Sequence, residues 1–186
     1  MIVDATCAPA DITYPTDLKL LNDAREKTEK VIDVMHGPDI GTKRKPRTYR
    51  QMARKDYLDV AKQKKPGYKK IRRAIGHQLQ YLTRNLQTIE TMVKNGRLEL
   101  LDKRDYRNLL VVQELYRQQL WMYENRTHSV QHRIVSISQP YVRPIVRGKA
   151  RSNVEFGAKI SVSLINGFGY VDRINWESYN ESGDLK

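Results

Sequence analysis

The apolar residues of this chain change period twice, and that change limits the folds open to it. Ile2-Val3-Asp4-Ala5-Thr6 is a short β-branched run of strand type that ends on polar residues. From about Thr42 to Arg126 apolar residues recur every three or four positions, and from Arg133 to Trp176 they alternate again. An isolated strand is not stable in water, so the first strand needs a partner from the later β-rich segment. The expected class is α+β: a first strand and a returning β-meander, interrupted by a mostly helical insertion.

Local signals refine this. Thr16 or Asp17 caps a helix that places Leu18, Leu21, Thr28, Val31, Ile32 and Met35 on one face and stops at Gly37-Pro38. Residues 38–47 read as a flexible basic linker. Thr48-x-x-Gln51 has the form of a capping box opening a second helix, Tyr49 to about Lys64, which Lys65-Pro66-Gly67 breaks. A third helix runs from Tyr68 to Lys94 on Ile71, Ile75, Leu79, Leu82, Leu86, Ile89 and Val93, with Asn95-Gly96 as its cap. A fourth starts at Asp102, with Asp105 three residues on, and reaches about Asn125. The two long helices either pair antiparallel within the chain or join two copies in a homodimer. Beyond them, Arg133–Ile137 alternates like a strand, and Tyr141–Val146 is a short strand that Pro144 confines to an edge. Val154–Ile165 puts Phe156, Ala158, Ile160, Val162 and Leu164 on one face, Asn166-Gly167 is a hairpin turn, and Gly169–Trp176 returns. The resulting division is residues 1–37, a first strand and helix; 38–131, the basic helical insertion; and 132–186, the meander.

Charge narrows the partner. The 186 residues carry a net charge of +13, and between Lys43 and Arg73 there are 14 Lys or Arg against Asp56 and Asp59. The cations are Lys43, Arg44, Lys45, Arg47, Arg50, Arg54, Lys55, Lys62, Lys64, Lys65, Lys69, Lys70, Arg72 and Arg73. A polyanion is their natural ligand, because each neutralised phosphate releases condensed counterions. The alternative is a merely solvated helix face. Tyr49, Tyr57 and Tyr68 are interleaved with these residues and can stack on unpaired bases. Cys7 is the only cysteine, so an intramolecular disulfide is excluded and a reducing cytosol is the simplest compartment. No apolar run approaches the roughly 18–20 residues of a membrane span, and the first residues lack the pattern of a signal peptide. The expectation is a cytoplasmic protein with DNA as partner, no membrane and no small-molecule substrate.

A strand-borne aspartate beside such a surface suggests phosphodiester chemistry, with Asp4 as catalytic and metal-binding residue. Two-metal sites need two or three convergent carboxylates around ions about 4 Å apart. The structural alternative for Asp4 is a turn or capping role. Spacing offers no second member: Asp172 reads as half of a cross-strand salt bridge, and Glu155 and Asp184 as structural. His36, His77, His128 and His132 show no ligand spacing, and the sequence contains no Gly-rich phosphate loop or Ser or Cys nucleophile motif.

Two stretches carry a resemblance. Ile-Val-Asp-Ala-Thr-x-x-Pro, followed by Ile-x-Tyr-Pro-Thr-Asp-Leu-Lys-Leu-Leu-Asn-Asp-Ala-Arg-Glu, resembles the opening of the catalytic domain of DDE-type insertion-sequence transposases. So does Arg-Pro-Ile-Val-Arg-Gly-Lys-Ala-Arg-Ser-Asn-Val-Glu-Phe-Gly-Ala-Lys, from Arg143 to Lys159, with the meander after it. The resemblance covers most of the chain, the helical block being its variable part. It implies a partial RNase H-like mixed sheet, two Mg²⁺ or Mn²⁺ ions in the complete enzyme, and cutting and rejoining of DNA at element ends. It matches Asp4 to the family's first catalytic aspartate, while Asp17 matches no catalytic carboxylate and reads as a helix cap. It sets Arg147, Gly148 and Lys149 in a basic turn near DNA phosphates. The family's second aspartate and its glutamate would lie past Lys186. The chain is thus expected to be a truncated piece with the first aspartate only, inactive alone; the alternative is a non-catalytic basic nucleic-acid-binding protein.

Overall fold

The structure is a computed structural model, and it describes residues 2–146, 154–177 and Tyr179. Its elements in chain order are β1 (Ile2–Pro9), α1 (Asp17–His36), α2 (Arg50–Ala61), α3 (Tyr68–Lys94), α4 (Lys103–Glu124), β2 (Arg143–Val146), β3 (Val154–Ile165) and β4 (Phe168–Asn175), with short 3₁₀ turns at Gly37–Asp39 and Arg97–Leu100. The class is α+β. Two compact units share the chain, a helical one of Pro15–Arg133 and a discontinuous one of Met1–Tyr14 with Ile134–Lys186.

In the helical unit α1 is the central element and packs against α2, α3 and α4. Thr16 is its cap, its hydroxyl accepting the Lys19 N–H at 3.3 Å. The helix buries Val31, Ile32 and Met35 against Ile89 and Leu109, and Leu18 meets Val60 and Ala74 in a second cluster. Each such side chain contributes about 1.5–3 kcal/mol by leaving water. The helix thus packs within the helical unit, whereas the first strand belongs to the other compact unit. α3 and α4 run antiparallel within the chain, since Arg72 meets Tyr123 while Thr83 meets Tyr116. Asp102 caps α4 by accepting the Asp105 N–H at 2.6 Å.

A polar cluster is enclosed among these helices. Arg25 is 1% exposed. It donates to Glu29, to Asn22 at 2.8 Å and to Gln78 at 3.2 Å. Gln78 in turn donates to the Ala53 carbonyl at 2.9 Å, which ties α1, α3 and α2 together. Burial pushes the Glu29 carboxyl above its ordinary value, more than the hydrogen bond and charge of Arg25 pull it down.

Two local readings fail here. The capping box does not form: α2 begins after Tyr49, which holds the left-handed conformation at φ 54°, and the Thr48 hydroxyl accepts from the Arg50 side chain at 3.3 Å. Asp17 is not the cap of α1. Its carboxylate takes Arg133 at 2.6 Å and Gln119 at 2.9 Å.

In the sheet unit β3 is central. β1 lies antiparallel along one edge, from Ile2 opposite Leu164 to Pro9 opposite Gly157. The other edge is shared: β2 pairs with Val154–Gly157 and β4 with Lys159–Ile165, both antiparallel. The first strand does find its partner in the later segment. Among the described residues every ladder is antiparallel, where a mixed sheet is expected. Gly157 permits the close approach of β1, because a Cβ there would stand 2.0 Å from the Ala8 carbonyl oxygen. Asn166 and Gly167 take φ of 51° and 85°, the left-handed pair that a tight hairpin requires. A register shift falls between Ser161 and Val162, where Arg173 and Val171 are their partners and Asp172 is the extra residue. Asp172 accepts a hydrogen bond from Ser163 at 3.1 Å, not a cross-strand salt bridge. Arg133–Ile137 forms no strand. The apolar row of β3 is not its better covered side: Leu164 is 45% exposed, whereas Ser161 and Ser163 on the opposite face are buried. Arg147, Gly148, Lys149 and Asp184 lie outside the described residues.

Candidate nucleic-acid interface

The basic segment runs through the linker after α1, all of α2, the turn after it and the first turns of α3. All its cations are exposed except the half-buried Arg72. Arg72 is a packing residue: its guanidinium lies 4.2 Å from the centre of the Tyr123 ring and donates to the Tyr123 carbonyl at 2.9 Å. One of its donors is thus already in use within the helical unit. Tyr57 is half-buried and packs against the Leu18, Val60 and Ala74 cluster. Tyr49 and Tyr68 remain exposed.

The other cations differ in what already holds them. Lys43 pairs with Asp39 at 3.5 Å and Lys45 with Asp33 at 2.6 Å. Arg50 grips both oxygens of the same Asp33 carboxylate, at 3.1 and 2.6 Å. Burial pushes the Asp33 carboxyl up, but hydrogen bonds and charge from Arg50 and Lys45 outweigh it and hold the group below its ordinary value. Arg50 is raised in turn, chiefly by its hydrogen bond to Asp33. Arg44, Arg47, Arg54, Lys55, Lys62, Lys64, Lys65, Lys69, Lys70 and Arg73 make no ion pair among the described residues. Lys62, Lys64 and Lys65 occupy the α2–α3 turn, and Lys69 and Arg73 follow one helical turn apart on α3. No side chain caps the start of α3, so the positive end of its dipole adds to the same turn. The arrangement can hold phosphates by exposed point charges along a connected stretch.

Asp4 is exposed in the middle of β1 and opposite Val162, on the face that also carries Thr6 and Ile160. Among the described residues its carboxylate has no ion pair or side-chain hydrogen bond. No group of three His, Cys, Asp or Glu able to hold a metal occurs among them. Asp172, tied to Ser163, lies on the other face of the sheet. His128 stands 3.8 Å from Asp17, an ion pair only when protonated. No helix among the described residues is long and apolar enough to cross a membrane.

Sequence reasoning missed the Asp33 clamp and the enclosed Arg25. Arg25 and Glu29 stand four apart on one helix, a spacing that signals a pair but not its burial. Nothing in the sequence joins Asp33 to Lys45 and Arg50 across the linker. No protein-family model, curated protein or solved structure was found to match the chain.

Proposed function

We propose that this chain is the part of a DDE-type DNA transposase that carries the first catalytic aspartate and a DNA-holding helical insertion, acting on DNA in the cytoplasm. The observation that supports the reading best is the carboxylate of Asp4. It stands exposed on a strand paired along its whole length, with no partner among the described residues. The strand fixes where this carboxylate stands, and no described side chain uses it structurally. In the complete protein it would serve as one ligand for Mg²⁺ or Mn²⁺. One carboxylate does not hold a pair of divalent ions, so the chain by itself is proposed to bind DNA without cutting it. Expressed with the coding sequence that follows it at its locus, the protein should nick supercoiled DNA in Mn²⁺, and Asp4→Asn should abolish nicking. Nicking that survives the substitution overturns the assignment.

The second reading is a non-catalytic nucleic-acid binder, and the exposed unpaired lysines of the α2–α3 turn favour it. Binding should then fall steeply with salt and ignore sequence. Neutralising Lys62, Lys64, Lys65, Lys69 and Lys70 together should remove it, while Asp4→Asn leaves it unchanged. A homodimer through the long helices is less favoured, since those helices already pair within the chain.

A further inference from the structure

We infer that Lys45 and Arg50 form a phosphate-binding site which Asp33 fills in the free protein, so that Asp33 gates part of the basic surface. The inference rests on the nucleic-acid reading above and names one site within it. The geometry is that of anion recognition. A guanidinium fork grips both oxygens of one carboxylate at 3.1 and 2.6 Å, and an ammonium reaches one of those oxygens at 2.6 Å. Two oxygens of a phosphate present the same spacing and charge to the same fork.

The three groups come from three places: Asp33 from α1, Lys45 from the linker and Arg50 from the first turn of α2. An intramolecular acid therefore does in the free chain what a backbone phosphate would do in a complex. Lys45 and Arg50 are 45% and 43% exposed, so an incoming anion can reach both. Arg44 and Arg47, in the same linker, are exposed and make no ion pair among the described residues, so they can take neighbouring phosphates. Arg50 and Arg54 also line an open groove of about 500 Å³ between α1 and α2. Exchange of Asp33 for phosphate replaces one anion by another, so it does not leave either cation bare.

The experiment measures the affinity of the full chain for a short duplex of arbitrary sequence across a salt series. Asp33→Asn should bind about three- to tenfold tighter, as the release of two exposed ion pairs allows. Glu124→Gln removes the same charge from an acid with no ion pair among the described residues, and it should give a smaller gain. In a Lys45→Gln/Arg50→Gln background the gain from Asp33→Asn should vanish. Asp33→Asn binding no tighter than Glu124→Gln, with helix content and melting unchanged, overturns the gate. Independently of any variant, the side-chain Nε–H resonance of Arg50 should shift as duplex is added to the unmodified protein. An unmoved resonance at saturation overturns the site. Binding by wild type without the gain leaves the nucleic-acid reading standing, whereas no binding by any of these proteins overturns that reading and this inference together.

Discussion

Replacing Arg25 by Met tests what holds the helical unit together. Met keeps the unbranched length of the side chain and its apolar stem, but no longer supplies the guanidinium to Glu29, Asn22 and Gln78. Glu29 and Gln78 are both buried, at 6% and 0% exposure, so water replaces the lost hydrogen bonds only in part. Breaking a buried pair by removing one partner costs about 3–5 kcal/mol. The orphaned Gln78 and Asn22 acceptors overlap with that figure and do not add to it in full. The melting temperature should therefore fall by about 10–20 °C.

The pH dependence of the loss is the sharper readout. The Glu29 carboxyl is already raised by burial against the pull of Arg25, and without the arginine it rises further. A group raised in the folded state adds stability that is complete below its unfolded value and is lost as pH rises through the folded one. Acidifying from about pH 7 to about pH 5 should therefore restore part of the lost stability in the variant and less in wild type. Thermal and guanidinium melts followed by circular dichroism at both pH values measure it. A loss below about 1 kcal/mol, or a difference between the proteins that ignores pH, would refute the view of Arg25 as the necessary counter-ion.

Three further outcomes are expected. Gly157→Ala should destabilise the sheet unit by about 1–3 kcal/mol or more, because the new Cβ would meet the Ala8 carbonyl oxygen at 2.0 Å. Amide exchange in β1 should accelerate with it, and unchanged β1 protection would contradict the close approach. Asp102→Ala should cost about 1 kcal/mol through the lost cap on the Asp105 N–H, read as a lower denaturant midpoint with an unchanged slope. Asp4→Asn should leave stability within about 0.5 kcal/mol of wild type, because nothing described depends on that carboxylate. A large loss in its melt would assign Asp4 to structure.

The helices were legible because their signals are local. Thr16 and Asp102 cap, Gly37 and Gly96 stop, and the apolar residues between them recur at helical spacing. The β3 bounds and the Asn166-Gly167 turn were legible for the same reason. Arg133–Ile137 carries a strand-like pattern, yet Ile134, Val135, Ser136 and Ile137 are all buried without joining a ladder, so here the apolar residues mark burial alone. The Thr48 and Gln51 pattern misled because Tyr49 turns left-handed between them and sends the Thr48 hydroxyl to a side chain. For the candidate interface, charge position was readable and charge availability was not. Arg72, Lys45 and Arg50 look like their neighbours in sequence. Their engagement depends on Tyr123 and Asp33, which other segments supply.

The interruption of the sheet unit by the whole helical unit has a consequence for biogenesis. As the chain leaves the ribosome, β1 emerges well before its partner strand, and Ile2 stays unpaired until Leu164 has been made. Pro15–Arg133 is contiguous and has its own cores, so it can fold during translation while β1 waits as an exposed β-branched segment. Closure of the sheet is then the late, high-contact-order event. In that interval the nascent β1 is open to capture by a chaperone.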